Sequence, residues 1–466
     1  MSKVFNKNDY IEVTIEDIGG EGMGVAKASG YALFIKDALP GDTCRVRITK
    51  ANKNYGFARV EEVIKESSLR VDPPCENAKR CGGCQIMAMD YEAQLQFKEK
   101  KVKDNLERIG GLDFSKDNKE STEFLKIKGM EYPYRYRNKT QYPVGMGKEG
   151  NITYGFYAGR THSIISTEDC KLAAEINSEI MNTIVEFMEE FNIKPYDEKS
   201  GNGVVRHVLI RNSKEKSGQI MVCIIINQRS LKKSDILVER LKNIPGMTSI
   251  SLNVNTAKNN VILGDEVINL YGENYIIDTI KDLKYQISPK SFFQVNGIQT
   301  EKLYETAVTF ADIKNDDVVW DMYCGIGTMS LFFAKQAKKV YGVEIVPEAI
   351  RDAKKNAKLN NIDNATFFCG AAEDVVPKLV SEDPDKYGKI DVVVVDPPRK
   401  GCDVKLLSTI VSMNPEKVVY VSCDSATLSR DVKILSENGY RVNKVQPVDM
   451  FPHTVHVETV VLMSRV

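Results

Sequence analysis

Two short apolar runs in the second half of the chain both end in polar, reactive residues. Asp391-Val392-Val393-Val394-Val395 leads into Asp396-Pro397-Pro398-Arg399, and Val418-Val419-Tyr420-Val421 leads into Ser422-Cys423-Asp424. A β-branched run that is apolar at consecutive positions reads as a strand covered on both faces, as parallel strands are. Ligands of open α/β sheets bind beyond the carboxyl ends of such strands. The two runs therefore deliver a carboxylate, an arginine and a thiol to one crevice. A free cysteine is usually a small buried hydrophobe. Cys423, just past a strand and flanked by Ser422 and Asp424, is instead a candidate nucleophile.

The surrounding pattern extends this unit. From Tyr285 onward, strands and helices alternate: 318–321, a helix, 340–344, a helix, 366–369, then the two runs above. That order predicts a doubly wound α/β, Rossmann-like sheet. Near the amino terminus, short alternating runs at 10–15, 24–28, 31–35, 43–48 and 55–63 are separated by Gly-Gly, Pro-Gly and Asn-Lys-Asn turns. They predict a small all-β, OB-like barrel, a module that often holds single-stranded nucleic acid. Between them lie a helix over 90–109, whose charge-rich stretch 98–103 reads as solvated, and an α+β region. In that region 204–211 and 219–227 are adjacent strands around the turn 214–218. Helices are expected over 172–191 and 235–243, the latter with Ser234 as N-cap. The expected units are 1–70, 71–284 and 285–466, with 90–125 packing on the last.

A chain of 466 residues has room for two to four such units. Its 64 basic and 64 acidic residues balance, so any nucleic-acid binding rests on local patches. No apolar run approaches the roughly 18–20 residues of a membrane span. Residues 1–10 lack the apolar stretch of a secretory signal, which makes cytoplasm the expectation. Ten cysteines in that compartment are read as metal ligands, catalytic groups or core residues rather than disulfides. Cys75, Cys81 and Cys84 lie within ten residues of one another, and Cys170 is a fourth thiol further on. Soft thiolate sites take zinc or iron–sulfur clusters, and thiols alone leave that choice open.

The strand at 318–321 runs into Cys324-Gly325-Ile326-Gly327 and an apolar helix. The next strand ends in Glu344, 19 residues beyond Gly325, where an acidic side chain meets ribose hydroxyls. Ser330 stands where a third glycine would complete a pyrophosphate turn, which favours a cofactor without phosphates. S-adenosylmethionine fits, with Glu373 or Asp374 placed to face its adenine.

Five motifs now stand in order: Ser291-Phe292-Phe293-Gln294-Val295-Asn296, Asp321-Met322-Tyr323-Cys324-Gly325-Ile326-Gly327, Asp396-Pro397-Pro398-Arg399, Val421-Ser422-Cys423-Asp424 and Phe451-Pro452-His453-Thr454-Val455-His456-Val457-Glu458. The chain resembles, over nearly its whole length, the RNA uracil-C5-methyltransferases of the type that modifies 23S ribosomal RNA. The amino-terminal unit resembles their TRAM domain. The resemblance implies that Gln294, Tyr323, Glu344 and Asp396 bind S-adenosylmethionine. It also implies that Cys75, Cys81, Cys84 and Cys170 hold a [4Fe–4S] cluster.

The chemistry gives its own reason for these residue types. Uracil C5 is a poor nucleophile until a thiolate adds at C6, which makes Cys423 the expected nucleophile. The C5 proton must then leave to a general base, and Glu458 is the expected one. Asp396 is placed to accept hydrogen bonds from the pyrimidine or to orient the nucleophile, and Arg399 to hold a phosphate or carboxylate. Cys324 and Cys402 are the rival thiols, and His453 and His456 are read as orienting or structural.

Between 126 and 160, Lys126, Lys128, Arg135, Arg137, Lys139, Lys148 and Arg160 alternate with Tyr132, Tyr134, Tyr136, Tyr142, Tyr154, Phe156 and Tyr157. This is the pattern of an RNA-contacting surface or of an ordinary strand pair. The expected partner is RNA, 23S rRNA ahead of tRNA, with no membrane and no DNA, and the chain is read as a monomer. Two other classes stay open. An amine methyltransferase would use the Asp-Pro-Pro-Arg motif without a thiol, and a non-catalytic RNA-binding protein would use neither.

Overall fold

A computed structural model of the protein describes residues 5–115, 122–214 and 218–466. The start of the polar amino terminus (1–4) and Glu215, Lys216 and Ser217 of the expected turn lie outside the described residues.

The carboxyl-terminal sheet holds eight strands in the spatial order Ala365–Cys369, Lys339–Glu344, Val318–Asp321, Val392–Val395, Lys417–Ser422, Glu458–Arg465, Tyr440–Val448 and Glu123–Phe124. The first five are parallel. Glu458–Arg465 is inserted antiparallel between its two neighbours. Val393, Val395, Val418 and Tyr420 pack into one hydrophobic layer, and Val392, Val394, Val419 and Val421 into the other. Burial on both faces is why these runs are apolar at every position. Strand order reverses between Val318–Asp321 and Val392–Val395, which opens a crevice beyond Asp321 and Asp396.

The amino-terminal sheet wraps its own core of Ala26, Leu33, Ile35, Val46 and Ile48. The five expected strands are present, and a two-residue strand, Asp17–Ile18, joins them. The central sheet has seven strands from Lys139–Met146 to Glu266–Gly272, with Ile164–Ser166 at one edge. One of its faces is covered by the helices Ile176–Glu190 and Ser234–Lys242. Two boundaries differ from expectation. A bridge between Arg137 and Ala173 holds the chain extended there, so the first helix begins later than 172. Ser234 is the first helical residue rather than the cap; the chain turns in through a left-handed Lys233 at φ 61°.

The helix Tyr91–Arg108 begins at Asp90, whose carboxylate accepts from the Glu92 and Ala93 amides. Its buried stripe runs Leu95, Lys98, Val102, Leu106, at the three- and four-residue spacing of one helix face. Leu95, Val102 and Leu106 join the layer against the carboxyl-terminal sheet. Lys98 falls on that stripe, so the reading of 98–103 as solvated is wrong at its first residue. The side chain is 0% exposed, and Nζ donates to Asp449 Oδ1 at 2.5 Å and to the Phe451 carbonyl at 3.0 Å. The Tyr91 hydroxyl donates to Asp449 Oδ2 at 2.9 Å.

Asp449 opens the nine-residue excursion (449–457) that connects the last two strands and ends at Glu458. Its carbonyls are gripped from several directions. Asp449 O accepts from Gln299, Met450 O from Asn296, Pro452 O from Tyr136, and Val455 O from Lys101. His453 O accepts the Gln85 and Ile86 amides, which follow directly on Cys84. The amino-terminal sheet docks on the same excursion. Ile18, Leu39, Ile86, Met89, Ala93 and Val455 form one apolar cluster. Gly22, at φ 78°, approaches Val455 so closely that a Cβ there would lie 2.9 Å from its methyl. Asp17 pairs with Lys100 at 3.0 Å and Glu21 with Arg160 at 2.5 Å.

Removing one partner of a buried ion pair strands the other charge and costs about 3–5 kcal/mol. Lys98→Met is therefore expected to lower unfolding stability by about that amount, read from urea-unfolding midpoints. A neutral result would mean that Asp449 finds another partner.

Candidate active site

Three strand ends converge in the crevice. Asp396 follows Val392–Val395, Cys423 follows Lys417–Ser422, and Glu458 opens the antiparallel strand whose Thr459 pairs with Ser422. Register thus sets Glu458 beside Cys423, and parallel pairing of the first two strands sets Asp396 on its other side. Each group feels the others. Cys423 is half-buried, and its thiol is pushed up to about 12 by burial first, then by Glu458 and Asp396, with Arg399 opposing them. Glu458 is 3% exposed. Burial, then Asp396, holds its carboxyl well above the ordinary range. Asp396 is likewise raised by burial. Two carboxyls in such mutual influence do not both ionise readily.

The neighbouring excursion adds neutral imidazoles. His456 is pulled down to about 4 by burial and by Arg399, whose guanidinium lies 3.5 Å from its Nε2. His453 also falls to about 4 through burial. It sits in the left-handed region at φ 67°, where its ring stacks on Tyr134 at 4.6 Å and Gln94 receives its amide. That conformation is costly for a residue with a Cβ and persists because its surroundings fix it.

The rival thiols are excluded by packing. Cys324 is 3% exposed, with its sulfur turned to the Gly325 carbonyl. Cys402 is 4% exposed and raised to about 12 by burial, beside Tyr420 and Tyr323.

The glycine turn lies at the same end of the sheet. Gly325 and Gly327 have φ of 53° and 82°, and Gly327 caps the helix Thr328–Ala334. Asp321 is fully enclosed and raised to about 6 by burial. It accepts from the Ser330 hydroxyl at 2.6 Å, so the serine in the third-glycine position braces the turn. Glu344 reaches back across it, Oε2 accepting the Gly325 amide at 3.3 Å. Gln294 is buried and Tyr323 half-buried, the latter pressed upward by burial and by Cys402 and Glu373. Asp374 is tied to Lys405. This donor set suits a nucleoside with hydroxyls and no phosphates, and S-adenosylmethionine fits it. A cleft of about 670 Å³ opens beside it, lined by Gly325, Glu344, Ser291 and Phe292.

The four thiols expected as metal ligands lie near one another. Cys75, Cys84 and Cys170 border one apolar cluster with Met87, Met130, Tyr136 and Leu172. Burial, Cys170 and Cys75 push the Cys81 thiol up. Among the described residues, however, no three Cys, His, Asp or Glu side chains are spaced as a metal-holding group. The donors are of the right kind, but their spacing is not that of a coordination sphere.

Several side chains of the basic, tyrosine-rich stretch have structural roles. Tyr136, Tyr142 and Tyr154 are core residues, and only Tyr132 of these aromatics is largely exposed, at 64%. Arg135 pairs with Asp169 and Lys126 with Glu92. Sequence reasoning missed Lys98 and the carbonyl clamp on 449–457. A helical wheel over 91–108 shows the first; the second depends on residues hundreds of positions apart.

Comparison with known proteins agrees with this geometry. Residues 90–466 match the tRNA (uracil-5-)-methyltransferase family, and residues 5–60 match the TRAM domain. An uncharacterized RNA methyltransferase of Halalkalibacterium halodurans is 49% identical over 460 residues, covering 98% of each chain. Another, of Clostridium tetani, is 47% identical over 98% of this chain and 97% of its own. The crystal structure of Pyrococcus abyssi tRNA (uracil-54, C5)-methyltransferase with S-adenosyl-L-homocysteine superposes with a TM-score of 0.76. It is 27% identical and covers 97% of this chain and 100% of that one. Among the described residues, no helix is long and apolar enough to cross a membrane.

A carboxyl raised above its unfolded value of about 4 keeps its proton longer when folded, so stability falls as pH rises past that point. Glu458→Gln escapes this loss. It is expected to melt a few degrees above the parent at neutral pH, with the gap closing below about pH 4. Circular dichroism melts across pH check this; equal melting at neutral pH would remove the proposed charge crowding.

Proposed function

We propose, for a chain that belongs to the tRNA (uracil-5-)-methyltransferase family, that it methylates uracil C5 in RNA through a covalent adduct on Cys423. It is an S-adenosylmethionine-dependent RNA methyltransferase with an amino-terminal TRAM domain. The observation that carries the reading is the convergence of Cys423, Asp396 and Glu458 at three adjacent strand ends, beside the glycine turn.

S-adenosylmethionine supplies an electrophilic methyl, with Gln294, Tyr323, Glu344 and Asp396 as its binding residues. The target base leaves its stack to enter the crevice. The Cys423 thiolate adds to C6, and the C5=C6 electron pair becomes nucleophilic at C5. C5 takes the methyl, and the carbon–sulfur bonding pair stays on the departing thioether. Glu458 then removes the C5 proton; the C–H pair re-forms C5=C6 and expels the thiolate. Arg399 favours the thiolate against the two carboxyls that oppose it. Asp396 also positions the pyrimidine.

In this reading residues 1–70 and 71–284 grip RNA, and 285–466 form the catalytic unit, on which 90–125 packs. The protein acts in the cytoplasm as a monomer. The target is 23S rRNA, supported by the motif set. A tRNA uridine is the second reading, favoured by the Pyrococcus abyssi tRNA enzyme, which aligns over 97% of this chain. That alignment includes the TRAM region, so this domain does not choose between the targets. Cys75, Cys81, Cys84 and Cys170 are proposed to hold a [4Fe–4S] cluster on their thiol chemistry and the influence of the other three on Cys84, although the spacing described above is not that of a coordination sphere. No step is routed through it.

RNA carrying 5-fluorouridine tests the mechanism, because fluorine at C5 cannot leave as a proton. Wild-type enzyme should form a lasting adduct on denaturing gels and Cys423→Ala none; an adduct with the variant would reassign the nucleophile. With ordinary RNA, Glu458→Gln should accumulate methylated adduct, and normal turnover would remove Glu458 as base. Mapping 5-methyluridine in rRNA and tRNA from a strain lacking the protein identifies the target. Anaerobically purified protein should carry about four irons and four sulfides per chain, lost in Cys84→Ala; zinc or no metal would refute the cluster.

A further inference from the structure

The central sheet carries a group of cations that the structure leaves uncompensated. Lys139 and Arg211 stand directly opposite each other in the antiparallel pairing of Lys139–Met146 with Val205–Asn212. Like charges directly opposed on a sheet destabilise it, and here Arg211 is buried and Lys139 partly so. Arg211 is 2% exposed. Burial first, then Arg211 and Arg137, pulls Lys139 down to about 8. Neither Arg137 nor Lys139 forms an ion pair with a carboxylate among the described residues. Arg211 gives one amino group to the Ser291 carbonyl, while its Nε has no partner. Asp278, which also accepts the Lys214 and Thr279 amides, acts on Arg211 as an opposite charge.

The position of this group matters as much as its charge. Asn138, between Arg137 and Lys139, donates through Nδ2 to the Gln294 carbonyl and through its amide to Val295. Arg137 bridges to Asn296. Asn296 in turn holds the Met450 carbonyl at 3.0 Å. The cations therefore border the segment 291–296, which lies between the cofactor turn and the excursion carrying the catalytic glutamate. A purely structural account explains Arg211, which holds Ser291. It does not explain a lysine placed opposite that arginine with no acid to meet.

We propose that Arg137, Lys139 and Arg211 form an anion subsite that takes a backbone phosphate of the RNA strand whose base enters the crevice. A backbone phosphodiester spreads one negative charge over two non-bridging oxygens, so neighbouring cations can share it, and such contacts fix register without reading sequence. The phosphate gives Lys139 the opposite charge it lacks and relieves the opposed charges. This inference rests on RNA being the substrate and not on which base reacts or how.

The full-length enzyme tests it with Lys139→Met and Lys139→Arg, using oligouridylate as RNA probe and S-adenosylhomocysteine as cofactor probe. Lys139→Met should raise the melting temperature of the RNA-free protein, weaken RNA binding, and lower the slope of log affinity against log salt by about 1. Lys139→Arg should restore the slope. An unchanged slope in Lys139→Met overturns the proposal whichever way melting moves. If S-adenosylhomocysteine affinity falls with it, the subsite serves the cofactor's carboxylate instead. Should Lys139→Met not fold, Lys139→Gln replaces it under the same criteria. Adduct formation with 5-fluorouridine RNA should need more RNA in Lys139→Met than in wild type and recover in Lys139→Arg. Its failure in wild type would count against the covalent mechanism and leave the salt-slope test standing.

Discussion

The ion pair between Lys98 and Asp449 is where three parts of the molecule meet. Neither charge reaches water, and together with Tyr91 they join an amino-terminal helix to the first residue of the excursion that ends at Glu458. The carbonyls beyond it are bound by side chains or amides from the helix, the cysteine-bearing segment, and residues near 296. A buried ion pair is weak as a source of net stability, because desolvation offsets much of its attraction. Its effect here is geometric. Few alternative arrangements of 449–457 satisfy so many buried polar groups at once, so the strand beginning at Glu458 starts from a defined place.

That definition has electrostatic consequences in the crevice. Glu458 and Asp396 are enclosed side by side and resist ionising together, and both press the Cys423 thiol toward its neutral form. The charged forms of all three groups are therefore disfavoured in this crevice. The opposed cations at Lys139 and Arg211 show the same character with the opposite sign. Sites that must complement a ligand's charge are often uncomfortable without it.

Much of this was legible in the residues. Parallel strands covered on both faces must be apolar throughout, so Val392–Val395 and Lys417–Ser422 stood out, and with them the groups at their ends. The glycine turn and Glu344 were readable because backbone approach to a nucleoside demands small residues and an acid at a set spacing. The failures are equally physical. Lys98 sits among charged neighbours, and its burial follows from a helix face and a partner 351 positions away. The tyrosines near 136 are not such a failure, since a linear reading leaves them between an RNA surface and an ordinary strand pair. Strand alternation turns Tyr142 and Tyr154 into the core, and Tyr134 is taken up by the His453 ring. Ser234 was misread because a left-handed Lys233 occupied the capping position first.

Gly22 and its neighbours seat the amino-terminal sheet directly on Val455, three residues before Glu458. A module attached in this way is not a tethered hand that searches for any strand in reach. It is a fixed gauge: under the proposed reaction, RNA lying across it would be held at a set offset from Cys423. Selection among uridines would then be a matter of dimension, favouring an RNA whose folded shape spans that offset.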